Sequence, residues 1–177
     1  MLIFLDTEFT DFIDCDLISI GMVSEDGHYQ LYLERSDYRK DWCSDFVHAA
    51  VLPQLGQLSA AVTRAELANQ LKEWFTTLPH SVTIACDSYT DLELLLDALN
   101  YERPENLTAG YYDLRDVEAT PVFQKATTQY HAQGKPWHHA LHDAQANRHG
   151  WLAVQDQIKE SENADGRTDC SSAHSYT

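Results

Sequence analysis

The first third of the chain changes from continuous to alternating hydrophobicity. Leu2-Ile3-Phe4-Leu5 is an unbroken apolar run that meets a carboxylate at Asp6, which predicts a strand buried on both faces over residues 2–6. Residues 17–23 (Leu-Ile-Ser-Ile-Gly-Met-Val) predict a second strand, and residues 28–33 alternate as a third. Asp26-Gly27 between the last two is a strong hairpin signal, because glycine enters the positive-φ turn without steric cost. A helix is expected over 41–52, stopped by Pro53. A clearer one spans 63–77: Thr63 and Glu66 form a capping box, Leu67, Leu71, Trp74 and Phe75 make its apolar stripe, and Pro79 follows its end. Residues 81–86 read as a strand. Residues 90–99 read as a helix with Leu92, Leu95, Leu96 and Leu99 at core spacing. A short strand over 111–114 and helices over 121–131 and 137–158 complete the pattern. From Ser161 the chain is rich in Ser, Asn, Asp and Gly without apolar periodicity, so 161–177 is expected to be a disordered tail on a single domain of residues 1–160.

This order, three strands and then strands alternating with helices, predicts an α/β fold. The expected sheet is mixed, an antiparallel three-strand meander plus parallel strands, flanked by helices. It suits a ribonuclease H-like sheet. A length of 177 residues, 44% of them hydrophobic, supports one domain with a proper core. No apolar run is long enough to span a membrane, and the start lacks the basic region of a signal peptide. Cys15, Cys43, Cys86 and Cys170 are scattered with no Cys-x-x-Cys pair. They read as reduced thiols of a cytoplasmic protein, not as a zinc site or disulfide framework.

The net charge of −16, from 28 acidic and 12 basic residues, argues against a module that grips a duplex through its phosphates. An enzyme that takes one chain end into a metal-filled cleft tolerates that charge, because the metals supply positive charge locally. The acids are also distributed in a telling way. Asp6 and Glu8 alternate on one strand, so their carboxylates point to the same face. Two carboxylates this close repel unless a cation lies between them, and hard oxygen ligands suit Mg²⁺ or Mn²⁺. A solvated strand end is the bland alternative. Asp87 and Asp91 follow the strand 81–86, where either can simply stabilise the start of the next helix. His138, His139, His142 and Asp143 open the last helix. Zinc would need a further nitrogen or sulfur ligand, and no cysteine is near in sequence.

Together the three places carry a family resemblance. Asp6-Thr7-Glu8 resembles the first motif of the DEDDh 3′→5′ exonucleases. Asp91, after a strand and before Leu94-Leu95, resembles the second. His138-His139-Ala140-Leu141-His142-Asp143-Ala144 resembles the third, His-x-Ala-x-x-Asp-Ala. Asp6-Thr7-Glu8-Phe9, the run 17–21 and Val51-Leu52-Pro53 resemble more narrowly the bacterial RNase AS exoribonucleases. The likeness extends over about residues 1–155. Two positions depart from it: Thr90 stands where the family usually has an aromatic, and Asp87 offers a rival acid.

The resemblance implies a metal-dependent exonuclease that releases nucleoside 5′-monophosphates from single-stranded nucleic acid with a free 3′ end, RNA before DNA, and a homodimer. It implies two Mg²⁺ or Mn²⁺ ions, about 4 Å apart, held by Asp6, Glu8, Asp91 and Asp143. Glu8 and His138 are the implied catalytic groups, with His138 as general base. His139, four residues before Asp143 and on its helix face, is the competing candidate. Thr7 and Phe9 are the expected substrate contacts; Phe9 either stacks on a terminal base or packs in the core. A DNA-directed exonuclease of the same fold is the alternative within enzymes. A catalytically inactive binding protein is the alternative outside them.

Overall fold

The computed structural model describes residues 1–57 and 59–168. Strand β1 (Leu2–Phe9) lies at the centre of a six-stranded sheet of order β4-β3-β2-β1-β5-β6. β2 (Leu17–Ser24) pairs antiparallel with β1, and β3 (Gln30–Arg35) antiparallel with β2, giving the expected meander. β5 (Val82–Cys86) lies parallel to β1, and β6 (Leu107–Asp113) parallel to β5. The molecule is thus an α/β protein with a mixed sheet flanked by helices.

Differences from the expected boundaries have local causes. β3 starts at Gln30, because the N–H of His28 is taken by the carboxylate of Asp26 (2.9 Å) and cannot join the ladder. Gly27 holds the turn at φ 79°. The helix expected over 41–52 is broken into a 3₁₀ turn (Lys40–Trp42), a π turn (Val47–Val51) and a second 3₁₀ turn (Leu52–Gln54) that contains Pro53. This stretch buries only a small cluster of Val47 and Val51 on Ile18, too little apolar surface to pull a full α-helix onto the sheet. β4 (Ala61–Val62) is a two-residue edge strand with no hydrophobic period of its own; it pairs parallel to Glu34 and Arg35. β6 begins four residues before the expected 111, because Thr108, Ala109 and Gly110 sit on a sheet edge without an apolar run.

α1 (Arg64–Thr77) carries the predicted capping box of Thr63 and Glu66 and buries Leu67, Leu71 and Phe75. α2 (Tyr89–Ala98) is capped by the Ser88 hydroxyl, which accepts from the Thr90 N–H. Both cover one sheet face, where they enclose Ile3, Leu5, Ile84 and Leu95. After a single turn, α3 (Arg115–Glu118), come α4 (Pro121–His131) and the long α5 (Ala140–Thr168). α5 packs on the opposite face, where Phe4, Val23, Ala85, Leu114 and Ala144 are buried together. Residues 161–168 are therefore helical, not irregular: no proline stops α5, and the Ser161 hydroxyl donates to the Gln157 carbonyl one turn back (3.0 Å). The rest of the expected tail, 169–177, lies outside the described residues. Among the described residues no helix is long and apolar enough to cross a membrane.

Two glycines allow the second layer to close. A Cβ on Gly21 would sit 2.2 Å from the Leu141 nitrogen, so only glycine lets the first turn of α5 rest on β2. A Cβ on Gly150 would meet the Phe123 ring at 2.6 Å, where α5 packs on α4.

Candidate metal centre

Gly21 is the cross-strand partner of Asp6, so the first turn of α5 lands beside that carboxylate. Alternation along β1 sends Asp6 and Glu8 toward α5, and sends Thr7 toward α2. On that other side the Thr7 hydroxyl donates to Asp91 Oδ1 at 2.5 Å, with both side chains buried. Asp91 occupies the first turn of α2, whose N-terminal dipole favours a carboxylate. Two groups of ligand atoms result, each with all members within 4.8 Å of one another: Glu8, His138 and Asp143; and Asp6, Asp87 and Asp91. Both groups can hold a metal ion. Asp6, Glu8, Asp87, His138 and Asp143 share one cleft of about 430 Å³, whose far wall is α4 with Thr127, Thr128 and His131.

Electrostatics confirm how crowded the acids are. Loss of water around Asp6 pushes its carboxyl well above the usual range, and Asp91, Asp143, Glu8 and Asp87 push the same way. Burial raises Glu8 to about 8, reinforced by Asp143 and Asp91. Burial raises Asp91 to about 7, against the Thr7 hydrogen bond that favours its charged form. Burial also raises Asp143 to about 7, against backbone N–H donors at 138 and 139. Asp87 is raised by burial too, opposed by a hydrogen bond from Asn147. Five carboxyls with suppressed ionisation, gathered in two adjoining groups, are poised for a divalent cation, whose charge would offset the repulsion. The donor set, carboxylate oxygens with a single imidazole and no thiolate, fits Mg²⁺ or Mn²⁺ better than zinc.

The two histidines part ways. His138 precedes α5, with φ at 61°, a left-handed conformation rarely adopted by residues with a side chain. That backbone turn delivers its imidazole to Glu8 and Asp143, and Phe46 packs edge-on against the ring at 4.9 Å. His139 is buried, stacked on Tyr32 at 4.3 Å, and its Nε2 faces Gln57 at 3.3 Å. Its backbone N–H donates to Asp143 Oδ2 (3.2 Å), but its ring joins neither acidic group.

Two of the expected substrate contacts are otherwise employed. The Thr7 side chain is buried and spent on Asp91. Phe9 packs against the core and meets Phe12 edge-on at 5.1 Å; Phe12 and Phe46 are open to solvent. Phe12 follows an Asp in a loop with no period, so no sequence pattern marks it. Sequence reasoning weighed Asp87 only as a rival to Asp91. The structure places both with Asp6, because the end of β5 and the first turn of α2 meet at the same edge of β1. His131 and Trp137, on the cleft wall and rim, carried no signal beyond an ordinary helix end and an aromatic before it.

No protein-family model matches the chain, and no curated protein matches it. Fold and site together define an α/β protein with an acidic centre able to hold metal ions.

Proposed function

We propose that the chain is a metal-dependent 3′→5′ exonuclease of ribonuclease H-like fold that acts on single-stranded nucleic acid, RNA in preference to DNA. The observation that carries this reading is the convergence of residues as far as 137 apart in sequence (6 to 143): Asp6, Glu8, Asp143 and His138 line one cleft, and Asp91 joins Asp6 and Asp87 in one of the two ligand groups. Strand direction and 3′ polarity come from the motif resemblance. Asp6, Asp87 and Asp91 would hold one cation, and Glu8, Asp143 and Asp6 the other. When bound, such cations supply Lewis acidity toward water and phosphate and neutralise charge on the leaving oxygen.

The chain's own groups supply the rest. His138, whose imidazole lies with Glu8 and Asp143, takes the proton of the attacking water. Glu8, in the same group, orients that water. The water oxygen bonds to phosphorus as the bond from phosphorus to the 3′ oxygen breaks; that oxygen takes a proton from solvent, and a nucleoside 5′-monophosphate leaves from a strand that keeps a free 3′-hydroxyl. The exposed Thr128 and Gln124 on the cleft wall offer hydroxyl and amide groups to a ribose 2′-hydroxyl, the group that separates RNA from DNA. A cytoplasmic homodimer belongs to the same reading, and sedimentation of the purified chain checks its dimer part.

The direct test pairs Asp6→Ala with metal removal. Strand shortening should stop in chelator, return with Mn²⁺ or Mg²⁺, and be absent in Asp6→Ala at any metal concentration. Turnover near wild type in Asp6→Ala would refute the proposal.

A further inference from the structure

We propose that His131, at the end of α4, is a positioning residue that holds the 135–138 segment and with it the imidazole of His138; this rests on the exonuclease reading of the site. Its side chain is 2% exposed, the imidazole buried in the cleft wall. Nδ1 lies 3.0 Å from the Lys135 carbonyl oxygen. A carbonyl only accepts, so Nδ1 carries the hydrogen and donates it. The ring stacks on Trp137 at 3.6 Å between centroids, 20° from parallel. His131 therefore grips, at two points, the short segment that ends in the left-handed His138.

The opposite edge of the ring faces the metal site. Nε2 lies 3.3 Å from Asp143 Oδ1, off-line for a hydrogen bond, and with the ring hydrogen on Nδ1 both atoms are acceptors, so His131 reaches the site through the 135–138 segment and not through Asp143. Without His131, that segment would lose both its anchor and its stacking partner, and the His138 ring would leave its place beside Glu8 and Asp143.

Replacements test the anchor. In His131→Asn the amide stands in for Nδ1 and can still donate to Lys135; in His131→Gln it stands in for Nε2, away from that carbonyl; His131→Leu keeps bulk alone. Turnover of each full-length variant on a labelled single strand should fall about 10- to 100-fold in Leu and Gln with little change in KM, and recover in Asn. Proton NMR in chelator should show the His138 ring signal shifted and broadened in Leu and Gln, and restored in Asn. If all three variants are equally impaired, or if the Leu variant keeps wild-type turnover and His138 signal, His131 is only packing and the proposal is overturned. Should the Leu variant fail to fold, the contrast between Asn and Gln decides alone. A wild type without nuclease activity would remove the exonuclease reading, while the His138 signal would still decide the role of His131.

Discussion

Asp6 is the residue on which the whole site leans: burial and then four other acids hold back its ionisation, and it groups with Asp87 and Asp91 while Asp143 and Glu8 press on it from the second group. Its loss should therefore be more damaging than loss of the outlying Asp87. Asp87→Asn is expected to weaken Mn²⁺ binding at one site in a calorimetric titration and leave the other intact, whereas Asp6→Ala should weaken both. Equal, negligible effects from the two variants would dissolve the distinction. The histidines give a second residue-scale prediction. His138→Ala should lower turnover about 10²–10⁴-fold, the range of a lost general base, with the melting temperature nearly unchanged. His139→Ala should do the reverse: it removes a buried ring stacked on Tyr32, so a thermal melt should show a drop in stability while residual turnover stays far above that of His138→Ala. Helix-face reasoning favoured His139 because spacing alone cannot reveal a left-handed residue before a helix; the motif resemblance favoured His138, and that is the ring found among the acids.

At the scale of elements, the meander, the capping box of α1, the end of β5 and the helix 121–131 were legible because each is dictated by local physics: hydrophobic period, cap chemistry or a turn glycine. The stretch 40–54 was not, since its apolar residues are few and its backbone is set by the cluster around Ile18. β4 was invisible for a similar reason: it exists only because β3 offers it an edge. The acids Asp6, Glu8, Asp91 and Asp143 could be named from sequence, but not the layering that joins them, which depends on Gly21. Gly21→Val should prove the point. Its side chain would collide with the backbone of Leu141, which cannot swing aside, so stability should fall by about 1–3 kcal/mol or more in a denaturant titration. Mn²⁺ affinity should fall with it, because the displaced turn carries Asp143. A folded Gly21→Val with wild-type Mn²⁺ affinity would show that the close approach does not set the site. At the other end of α5, residues 161–163 are exposed, and ending the chain at Glu160 should shift the melting temperature by no more than about 2 °C.

For the whole molecule, the buried acids make stability depend on pH and on cations together. Carboxyls of Glu8 (about 8), Asp91 and Asp143 (about 7) sit above their unfolded values near 4, so the folded protein holds protons that the unfolded chain has released. Their stabilising contribution is full below about pH 4 and is lost as pH rises through those folded values. His131, His139, His142 and His149 are shifted down by burial and act oppositely, but only below about pH 6.5, where the unfolded histidines charge. In chelator the melting temperature should thus fall between about pH 6.5 and 8.5, and Mn²⁺ at the upper pH should restore it. A rise over that window in chelator would contradict the crowded-acid picture. The same acidity, −16 overall, leaves little with which to hold a duplex, so under the proposed function affinity for a single strand would come from the cleft and from a few exposed rings such as Phe12, Phe46 and Trp137. The measurement that bears most directly on this account is a time course with Mn²⁺ on matched 5′-labelled single strands of RNA and DNA, each with a free and with a blocked 3′ end. The account predicts a ladder that shortens one nucleotide at a time from the free 3′ end, faster on RNA, and no decay of the blocked strands. Cleavage that ignores the block, or no cleavage by the wild-type protein, would contradict it.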